Sequence, residues 1–408
     1  MKKALLIIII MLLLSLYFYG CGKEEVKFLK AVGTDIVTDN GEGDVIRLIG
    51  VNAGGYLVIE EWMCPVASYT QFEMEETLYR RFGSRAGELL DIYMDNWWTD
   101  YDFDIIKQTG FNTIRLPFTW RTLQNSDYSF KENAFMRLDE FISEAGKRGL
   151  YVILDLHGAH GSQNGRHHSG DVSTGGALYT SEENMRRTLE LWVEVAKRYK
   201  NNPTVAGYDL LNEPEGVPGG IMLPDTPHWE YYDRLYRAIR EVDGNHIIIM
   251  EAVWEPMNLP SPSVYGWENV VYEYHFYYGG SQGYDNQNDF IDSKVQMNDA
   301  MGHNVPVLVG EFTFYDSPYS WEYGLNVFRE QGWSWTIWTH KVTGISSWGL
   351  YNLIDDFVRV YPETDSYEEI ADKWSSITTQ NHCVKNNWLY ELILNHIAAP
   401  VSEETANN

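Results

Sequence analysis

Short apolar runs of strand length alternate with amphipathic segments of helical period along most of this chain. Eight such runs are present. They are Leu48–Asn52, Thr113–Thr119, Tyr151–His157, Val205–Glu213, His246–Trp254, Val270–Tyr278, Pro306–Phe314 and Ser334–Thr339. Because the runs are apolar on both faces, they predict strands buried on both sides, as in a parallel sheet covered by helices.

Amphipathic segments between the runs predict the covering helices. They are 102–109, 135–148, 182–199, 231–242, 289–302 and 319–331, followed by a last helix over 387–397. The segment 182–199 is the clearest, and Ser181 before it provides an oxygen that caps the first turn. Eight strand–helix units predict an α/β fold, a closed (β/α)8 TIM barrel that forms a single domain over residues 28–400.

Residues before and after the barrel have patterns of their own. Ile36-Val37 and Val45-Ile46 flank the turn-forming residues 39–41, which predicts a short β-hairpin flap that closes one end of the fold. Residues 401–408 are expected to form a disordered tail.

The first 21 residues have the features of an export signal. A basic start at Met1-Lys2-Lys3 precedes an apolar run over residues 4–18 and then Tyr19-Gly20-Cys21. This run is short for a membrane span, and it resembles a bacterial lipoprotein signal in which Cys21 becomes the lipidated first residue. The chain is therefore expected at the cell surface, with residues 22–27 as a tether, and export without lipidation is the alternative.

The net charge of the chain limits the kinds of partner that it can bind. The chain has 31 Lys and Arg against 58 Asp and Glu, and a surface of this sign repels nucleic acid and anionic membranes. Membrane contact is expected only through the N-terminal lipid.

Cys64 and Cys383 remain in the mature chain, where a disulfide and two free thiols are both compatible with the sequence.

Two of the predicted strands deliver a glutamate at their ends. The run 205–211 stops at Asn212-Glu213-Pro214, and the run 306–310 stops at Glu311. Proline has no backbone N–H to donate to a continuing strand ladder, so Glu213 is expected at the carboxyl end of a buried strand. Cleavage of a glycosidic bond uses a pair of carboxyl groups, and two strand-end glutamates can provide them.

Further polar residues fall at the ends of the other strands. The second, third and sixth runs contain Arg115, His157 and His275, with Tyr277 and Trp338 close by. Catalytic groups of (β/α)8 barrels gather at the carboxyl ends of the strands. Since buried charges are costly unless paired, these residues are predicted to form one site rather than part of the core.

Over residues 48–341 these positions, taken in order, resemble the family 5 glycoside hydrolases, retaining clan A enzymes of the cellulase and β-glucanase type. The resemblance implies Glu213 as the acid/base and Glu311 as the nucleophile. It also implies hydrogen bonds from Arg115 and Tyr277 that keep Glu311 ionised. The chemistry requires no cofactor, and the substrate is expected to be a β-glucan polysaccharide or oligosaccharide.

The same resemblance gives roles to the remaining strand-end residues. Asn212 would hold the sugar 2-hydroxyl, a contact that strengthens in the transition state. His275 would tune Glu213, His157 would bind the sugar at the cleavage subsite, and Trp338 would form its stacking floor.

Two loops resemble the exo-β-1,3-glucanase branch of the family. They are Ile49–Glu60 and Gly161–Gly165, and the Glu that matches Glu60 in that branch closes the non-reducing end of the site. Tyr56 and residues 166–168 depart from the branch pattern. Exo or endo action and β-1,3 or β-1,4 linkage therefore remain open.

Two other functions are compatible with parts of the sequence. One is a non-catalytic carbohydrate-binding surface lipoprotein on the same scaffold. The other is a metal-dependent barrel hydrolase whose ligands would be His160, His167 and His168, although no further ligand stands at a strand end in suitable spacing. Candidate sugar-stacking platforms are Trp62, Trp120 and Trp254.

Overall fold

The computed structural model describes residues 26–215, 227–278, 284–354 and 356–399. The predicted signal with Cys21, the first part of the predicted tether and the predicted tail lie outside these ranges. Within them, no helix is both long enough and apolar enough to cross a membrane.

Eight parallel strands close into a barrel, which confirms the predicted fold. From first to eighth along the chain they are Ile49–Asn52, Thr113–Thr119, Tyr151–Gly158, Val205–Asp209, Ile247–Glu251, Val270–Phe276, Val307–Phe312 and Ser334–Ile337. Neighbours pair in chain order, and the eighth strand closes on the first. Gly50 permits close contact of the first two strands, since a Cβ there would lie 1.8 Å from the carbonyl oxygen of Thr113.

Several strands are shorter than the apolar runs predicted. The fourth ends at Asp209 rather than Glu213, and the fifth ends at Glu251 rather than Trp254. Glu213 and Val253 both have positive φ, 43° and 57°, and an extended strand cannot continue through that conformation. These bends turn the chain at the carboxyl end of the barrel, where side chains can point across its mouth.

Helices surround the barrel at all the predicted positions. Those described are Gln71–Phe82, Arg85–Trp97, Asp100–Thr109, Trp120–Leu123, Met136–Lys147, Glu182–Tyr199, Pro227–Arg240, Tyr284–Met301, Pro318–Glu330, Tyr367–Trp374, Thr379–His382 and Asn387–Ala398. The hydroxyl of Ser181 accepts from the amide of Asn184, as expected of a cap. The helices Gln71–Phe82, Arg85–Trp97 and Tyr367–Trp374 were not predicted, because they are additions to the strand–helix alternation.

The predicted hairpin is present as part of a three-stranded antiparallel sheet. Its strands are Lys30–Val32, Asp35–Val37 and Val45–Ile46, with Ile36 opposite Ile46. Leu29 and Ile36 pack with residues at the starts of the barrel strands, including Tyr151, Ile247 and Leu308. The sheet therefore closes the amino-terminal end of the barrel and leaves the carboxyl end to the site.

A second small sheet follows the eighth barrel strand. It consists of Lys341–Thr343, Tyr351–Leu353 and Cys383–Lys385. Cys383 and the buried Cys64 are both free thiols, so the disulfide alternative is not the one adopted. Burial raises the pKa of the Cys64 thiol to about 12, which keeps it protonated and unreactive.

Candidate active site

Glu213 and Glu311 face each other across the mouth of the barrel. One carboxyl oxygen of each lies within 4.8 Å of the other, and Nδ1 of His275 lies within the same distance of both. Each glutamate is only 5% exposed. Gly310 makes this geometry possible, because a Cβ there would lie 1.5 Å from Oε1 of Glu273 on the neighbouring strand.

The backbone around Glu213 is held from two sides. Its amide donates to Oε2 of Glu251 over 2.5 Å, and its carbonyl oxygen accepts from Nδ2 of Asn164 over 3.1 Å. These bonds stabilise the positive φ of a non-glycine residue, which otherwise costs free energy. Nδ1 of His275 contacts Oε1 of the side chain over 3.0 Å, so the histidine expected to tune this carboxyl is beside it.

Glu311 has the two partners that the resemblance implied. Nη1 of Arg115 donates to Oε1 over 2.9 Å, and the hydroxyl of Tyr277 donates to Oε2 over 2.9 Å. Burial nevertheless raises the pKa of the Glu311 carboxyl, and the positive charges of His275, Arg115 and His157 act against that shift. The hydrogen bonds from Arg115 and Tyr277 were expected to keep this carboxyl ionised, but burial outweighs the charges that favour the ionised form.

Arg115 is completely buried and binds several elements at once. Its Nη2 donates to Oδ1 of Asn212 over 3.0 Å and pairs with Oδ2 of Asp209 over 2.7 Å, while Nη1 donates to Oδ1 of Asn52 over 3.1 Å. Burial alone would lower the pKa of Arg115, but the surrounding carboxylates raise it well above its usual value. A charged guanidinium thus fixes Glu311 relative to Asn212.

A layer of buried acids lies beneath the pair and was not predicted. Burial and neighbouring acids raise the pKa values of Asp209 and Glu251, which favours their neutral forms. For Glu273, burial is outweighed by Arg115 and His275, and the pKa is lowered. Each of these acids lies within or at the end of an apolar strand, and that position is a sequence signal for a paired buried charge.

Asn212 and His157 each direct an unsatisfied polar atom into the site. Nδ2 of Asn212 and Nε2 of His157 are buried and have no hydrogen-bond partner among the described residues. Burial would lower the pKa of His157, but Asp155, 2.7 Å from its Nδ1, raises it, which favours the charged ring with a proton on both nitrogens. The His157 ring stacks on Trp338 with centroids 5.4 Å apart. Nδ2 of Asn212 is a donor, and Nε2 of His157 is a donor when the ring is charged.

Gln163 and Asn164 have structural roles that were not predicted from the sequence. Nε2 of Gln163 donates to the carbonyl oxygens of His157 and Asn212, over 2.8 and 2.7 Å. Asn164 holds the carbonyl oxygen of Glu213, as described above. The Gly161–Gly165 motif therefore braces the ends of the third and fourth strands.

Glu60 lies at one side of the site and is only 5% exposed. It accepts from Nε1 of Trp62 over 2.9 Å, and Nε2 of His167 lies 3.3 Å from the same oxygen. Trp62 in turn packs edge-on against Trp348, whose ring lies 5.4 Å from that of Tyr277. This cluster connects Glu60 to the residue that holds Glu311.

Trp254 is placed on another side of the same site. Its ring lies 6.4 Å from His275 and 6.2 Å from Tyr277. Its Nε1 donates to Glu215, which also forms a two-bond ion pair with Arg166. Trp254 is therefore a fixed aromatic surface next to the two carboxyl groups.

His160 and Trp120 lie apart from this arrangement. Nδ1 of His160 contacts Thr188 and Nε2 contacts Gln124, and its ring stacks on Trp120 at 4.8 Å. Burial lowers the pKa of His160 to about 3. These contacts are those of packing residues, and they do not place His160 with His167 and His168 as metal ligands.

Two carboxyl groups at this separation, one beside a histidine and the other held by an arginine and a tyrosine, match the requirements of retaining glycoside hydrolysis. The sequence profile described as Cellulase (glycosyl hydrolase family 5) matches residues 77–344. The chain belongs to glycosyl hydrolase family 5, which confirms the resemblance.

Proteins that are similar to this chain in sequence or in fold are named as glycosidases. A β-xylosidase of Phanerodontia chrysosporium is 31% identical over 61% of this chain and 52% of its own length. A probable glucan 1,3-β-glucosidase A of Aspergillus clavatus is 28% identical over 67% of this chain and 66% of its own. The chain thus spans about half to two thirds of these relatives. The crystal structure of a rutinosidase from Aspergillus niger has the same fold, with a TM-score of 0.61, 18% identity, and coverage of 73% of this chain and 90% of that one.

Proposed function

We propose that this protein is a retaining glycoside hydrolase that cleaves β-glucosidic bonds in β-glucans, with Glu213 as acid/base and Glu311 as nucleophile. The observation that carries the proposal is the pair of buried carboxyl groups with oxygens within 4.8 Å of each other. Retaining enzymes need a separation of about 5 to 5.5 Å, whereas inverting enzymes need room for a water molecule between the two groups.

The reaction would proceed by two displacements. Glu213 gives its proton to the glycosidic oxygen as the bond from C1 to that oxygen breaks, and Glu311 attacks C1 to form an ester. Glu213 then takes a proton from a water molecule that attacks C1 and releases Glu311. The bonds from Arg115 and Tyr277 hold Glu311 in line for both steps.

The two unsatisfied donors would bind the sugar at the point of cleavage. Nδ2 of Asn212 suits the 2-hydroxyl, because Arg115 fixes the other end of that amide. Nε2 of His157 would donate to a neighbouring hydroxyl, with Trp338 packed against its ring. A buried donor without a partner is costly, and a bound sugar removes that cost.

The substrate is proposed to be a β-1,3- or β-1,4-linked glucan. The name of the Aspergillus clavatus relative, a probable glucan 1,3-β-glucosidase, supports the first linkage. Glu60, which contacts Trp62 and His167, would bind the terminal residue of a chain and so produce exo action. A site open on that side would produce endo action instead.

We also propose export with lipidation at Cys21, which rests on the basic start, the apolar run and the cysteine of the N-terminal sequence. Labelling cells with a fatty acid analogue tests it, because replacement of Cys21 by Ser should abolish the label. Label that persists in this variant would contradict lipidation at Cys21.

A time course of product sizes tests the proposed activity. The soluble fragment that begins at Lys23 would be offered β-1,3-, β-1,4-, mixed-linkage and β-1,6-glucans, with Glu311→Ala as the inactive control. Glucose alone from a β-1,3 chain supports exo action, and a ladder of oligosaccharides supports endo action. No product from any of the four, or inactivation by a chelator, contradicts the proposal.

A further inference from the structure

Two adjoining cavities lie among the helices and loops that surround the barrel. The larger, of about 680 Å³, is enclosed by the loop after the first strand, by the helices Gln71–Phe82 and Arg85–Trp97, and by the segment after the second strand. The smaller, of about 560 Å³, lies between that segment and the helix Glu182–Tyr199. Both have the size of ligand-binding cavities, about 300 to 1,000 Å³.

The two cavities are neighbours, and they are separate from the catalytic centre. Lys131, Asn133 and Met136 line both of them. In the part of the chain that the structure describes, no lining residue of either cavity is hydrogen-bonded or ion-paired to Glu213 or Glu311. A ligand could therefore extend from one cavity to the other without entering the barrel mouth.

An exposed aromatic ring is present at each cavity. Phe130, at the smaller cavity, is 39% exposed and stacks on Phe135 with centroids 6.1 Å apart and planes inclined by 17°. Tyr79, at the larger cavity, is 48% exposed. Exposed ring faces favour a ligand with an apolar face of its own. Sugar rings have such a face of C–H groups, with hydroxyl groups along the edge.

Paired charges form the polar walls of the cavities. Arg137 pairs with Asp91 over 2.6 Å at the larger cavity, and Arg198 with Asp139 over 2.8 Å at the smaller one. Each guanidinium charge is thus matched by a carboxylate, although such groups can still donate to and accept from hydroxyl groups. Nε of Arg137 is buried and has no hydrogen-bond partner among the described residues, so it remains a donor.

These features together favour a neutral chain of sugar units. An acidic polysaccharide is disfavoured, because the chain has 31 Lys and Arg against 58 Asp and Glu. We propose that the two cavities form a second saccharide-binding site, which binds a neutral glucan chain outside the catalytic centre. The proposal rests on the proposed function only for the identity of the sugar, since binding here requires no catalysis.

The larger cavity also adjoins the loop that carries Glu60. Leu57 and Ile59 line it, and the side chain of Gln71 accepts from the amide of Ile59 over 2.9 Å and donates to the carbonyl oxygen of Leu57 over 3.3 Å. The same amide group donates to Oε1 of Glu75, another lining residue, over 2.8 Å. A glucan bound there would lie behind the Glu60 loop, where it raises the local concentration of polymer near the catalytic centre.

Replacement of Tyr79 and Phe130 together by Ala tests the second site, in a Glu311→Gln background that prevents hydrolysis. Electrophoresis through gels that contain a soluble β-1,3- or mixed-linkage glucan measures retention of the protein. The dissociation constant for at least one of these glucans should rise about fivefold or more, because two stacking surfaces are lost. Leu394→Ala, at a residue that is 37% exposed on the last helix and lines neither cavity, should leave retention unchanged.

Activity with the native Glu311 provides a second reading of the Tyr79 and Phe130 replacements. The loss of kcat/KM on the soluble polymer should exceed the loss on an aryl β-glucoside, which is too short to reach the cavities. Retention equal to that of the parent protein would overturn the proposal. Equal losses on the two substrates would also overturn it, because they place the effect in the catalytic centre.

A crystal structure of the Glu311→Gln protein with a bound glucan oligosaccharide gives a reading that does not depend on the cavity variants. Sugar is expected in at least one of the two cavities at a concentration that saturates retention. Sugar found only in the barrel mouth, or in neither place, would overturn the proposal. If the wild-type protein hydrolysed no β-glucan, the proposed function would fail, whereas retention and the crystal structure would still decide the second site.

Discussion

Nε2 of Gln163 donates a hydrogen bond to the carbonyl oxygen of Asn212 over 2.7 Å. The same nitrogen donates to His157, so one buried amide joins the ends of the third and fourth barrel strands. Asn212 directly precedes Glu213. The position of the proposed acid/base therefore depends on Gln163, a residue of the loop after the third strand that does not itself face Glu213.

Replacement of Gln163 by Leu should leave the carbonyl oxygens of His157 and Asn212 buried and unpaired. The expected cost is about 1 to 3 kcal/mol in the free energy of unfolding. We also expect kcat to fall at least about tenfold, because misplacement of catalytic groups is costly. Urea unfolding and steady-state kinetics measure both effects. Asn125→Ala on the surface is the control, and equal results for the two variants would contradict this role.

Arg115→Lys tests whether the shape of the guanidinium matters beyond its charge. A lysine ammonium cannot reach Glu311, Asp209 and Asn212 together, so activity should fall by more than about a hundredfold. Arg121→Lys, in which the replaced side chain pairs with the partly buried Glu75 and the exposed Glu76, should retain most of the activity. Activity of Arg115→Lys near that of wild type would show that charge alone is sufficient.

Asn212→Ala tests the proposed contact with the sugar 2-hydroxyl. Activity on an aryl β-glucoside should fall at least about a hundredfold, whereas activity on the matching 2-deoxyglucoside should fall far less, because that substrate lacks the partner. The ratio of kcat/KM values for the two substrates, measured with both enzymes, gives the coupling. Equal losses on both substrates would indicate that Asn212 acts only through Arg115.

Asp102 provides a stability prediction that depends on pH. It is fully buried and contacts Nε2 of His340 over 2.8 Å. Burial would raise its pKa, but His340 and Lys341 outweigh burial and lower the pKa to about 2. A lowered pKa in the folded state stabilises the protein above the unfolded value of 3.8, and this stabilisation is lost as pH falls toward 2.

The advantage of wild type over Asp102→Asn should therefore include about 2 kcal/mol at pH 7 that largely disappears near pH 2. Chemical unfolding of the two proteins at several pH values measures this difference. Asp104→Asn on the same helix breaks only a surface ion pair with Arg148 and is the control. A difference between wild type and Asp102→Asn that does not change with pH would contradict the prediction.

The barrel could be predicted because its signal is local. Strands such as Thr113–Thr119 are buried along their whole length and appear in the sequence as apolar runs. The helices Gln71–Phe82 and Arg85–Trp97 were missed because they interrupt the alternation of strands and helices. The early end of the fourth strand was missed because the positive φ at Glu213 depends on its hydrogen bonds with Glu251 and Asn164.

Those residues of the site whose own side chains do the proposed chemistry could be predicted from the sequence. Glu311 lies near the end of its strand, Glu213 follows the end of the fourth strand, and Arg115 lies within the second strand, so barrel geometry brings the three together. The role of Gln163 and the facing of His168 toward Glu213 could not be predicted, since loop contacts depend on the folded path of the chain. The pKa of Glu311 likewise reflects burial and several charges, which no spacing of residues reveals.

The most direct measurement of the central claim is mass spectrometry of the protein after incubation with a dinitrophenyl 2-deoxy-2-fluoro-β-glucoside. Such a substrate forms the glycosyl-enzyme ester and slows its hydrolysis, so the ester can be located. We expect a mass increase of one fluoroglucosyl group, found by peptide mapping on Glu311 and absent from Glu311→Gln. A label on any other residue, or an active enzyme that accumulates no label, would contradict the assignment of Glu311 as nucleophile.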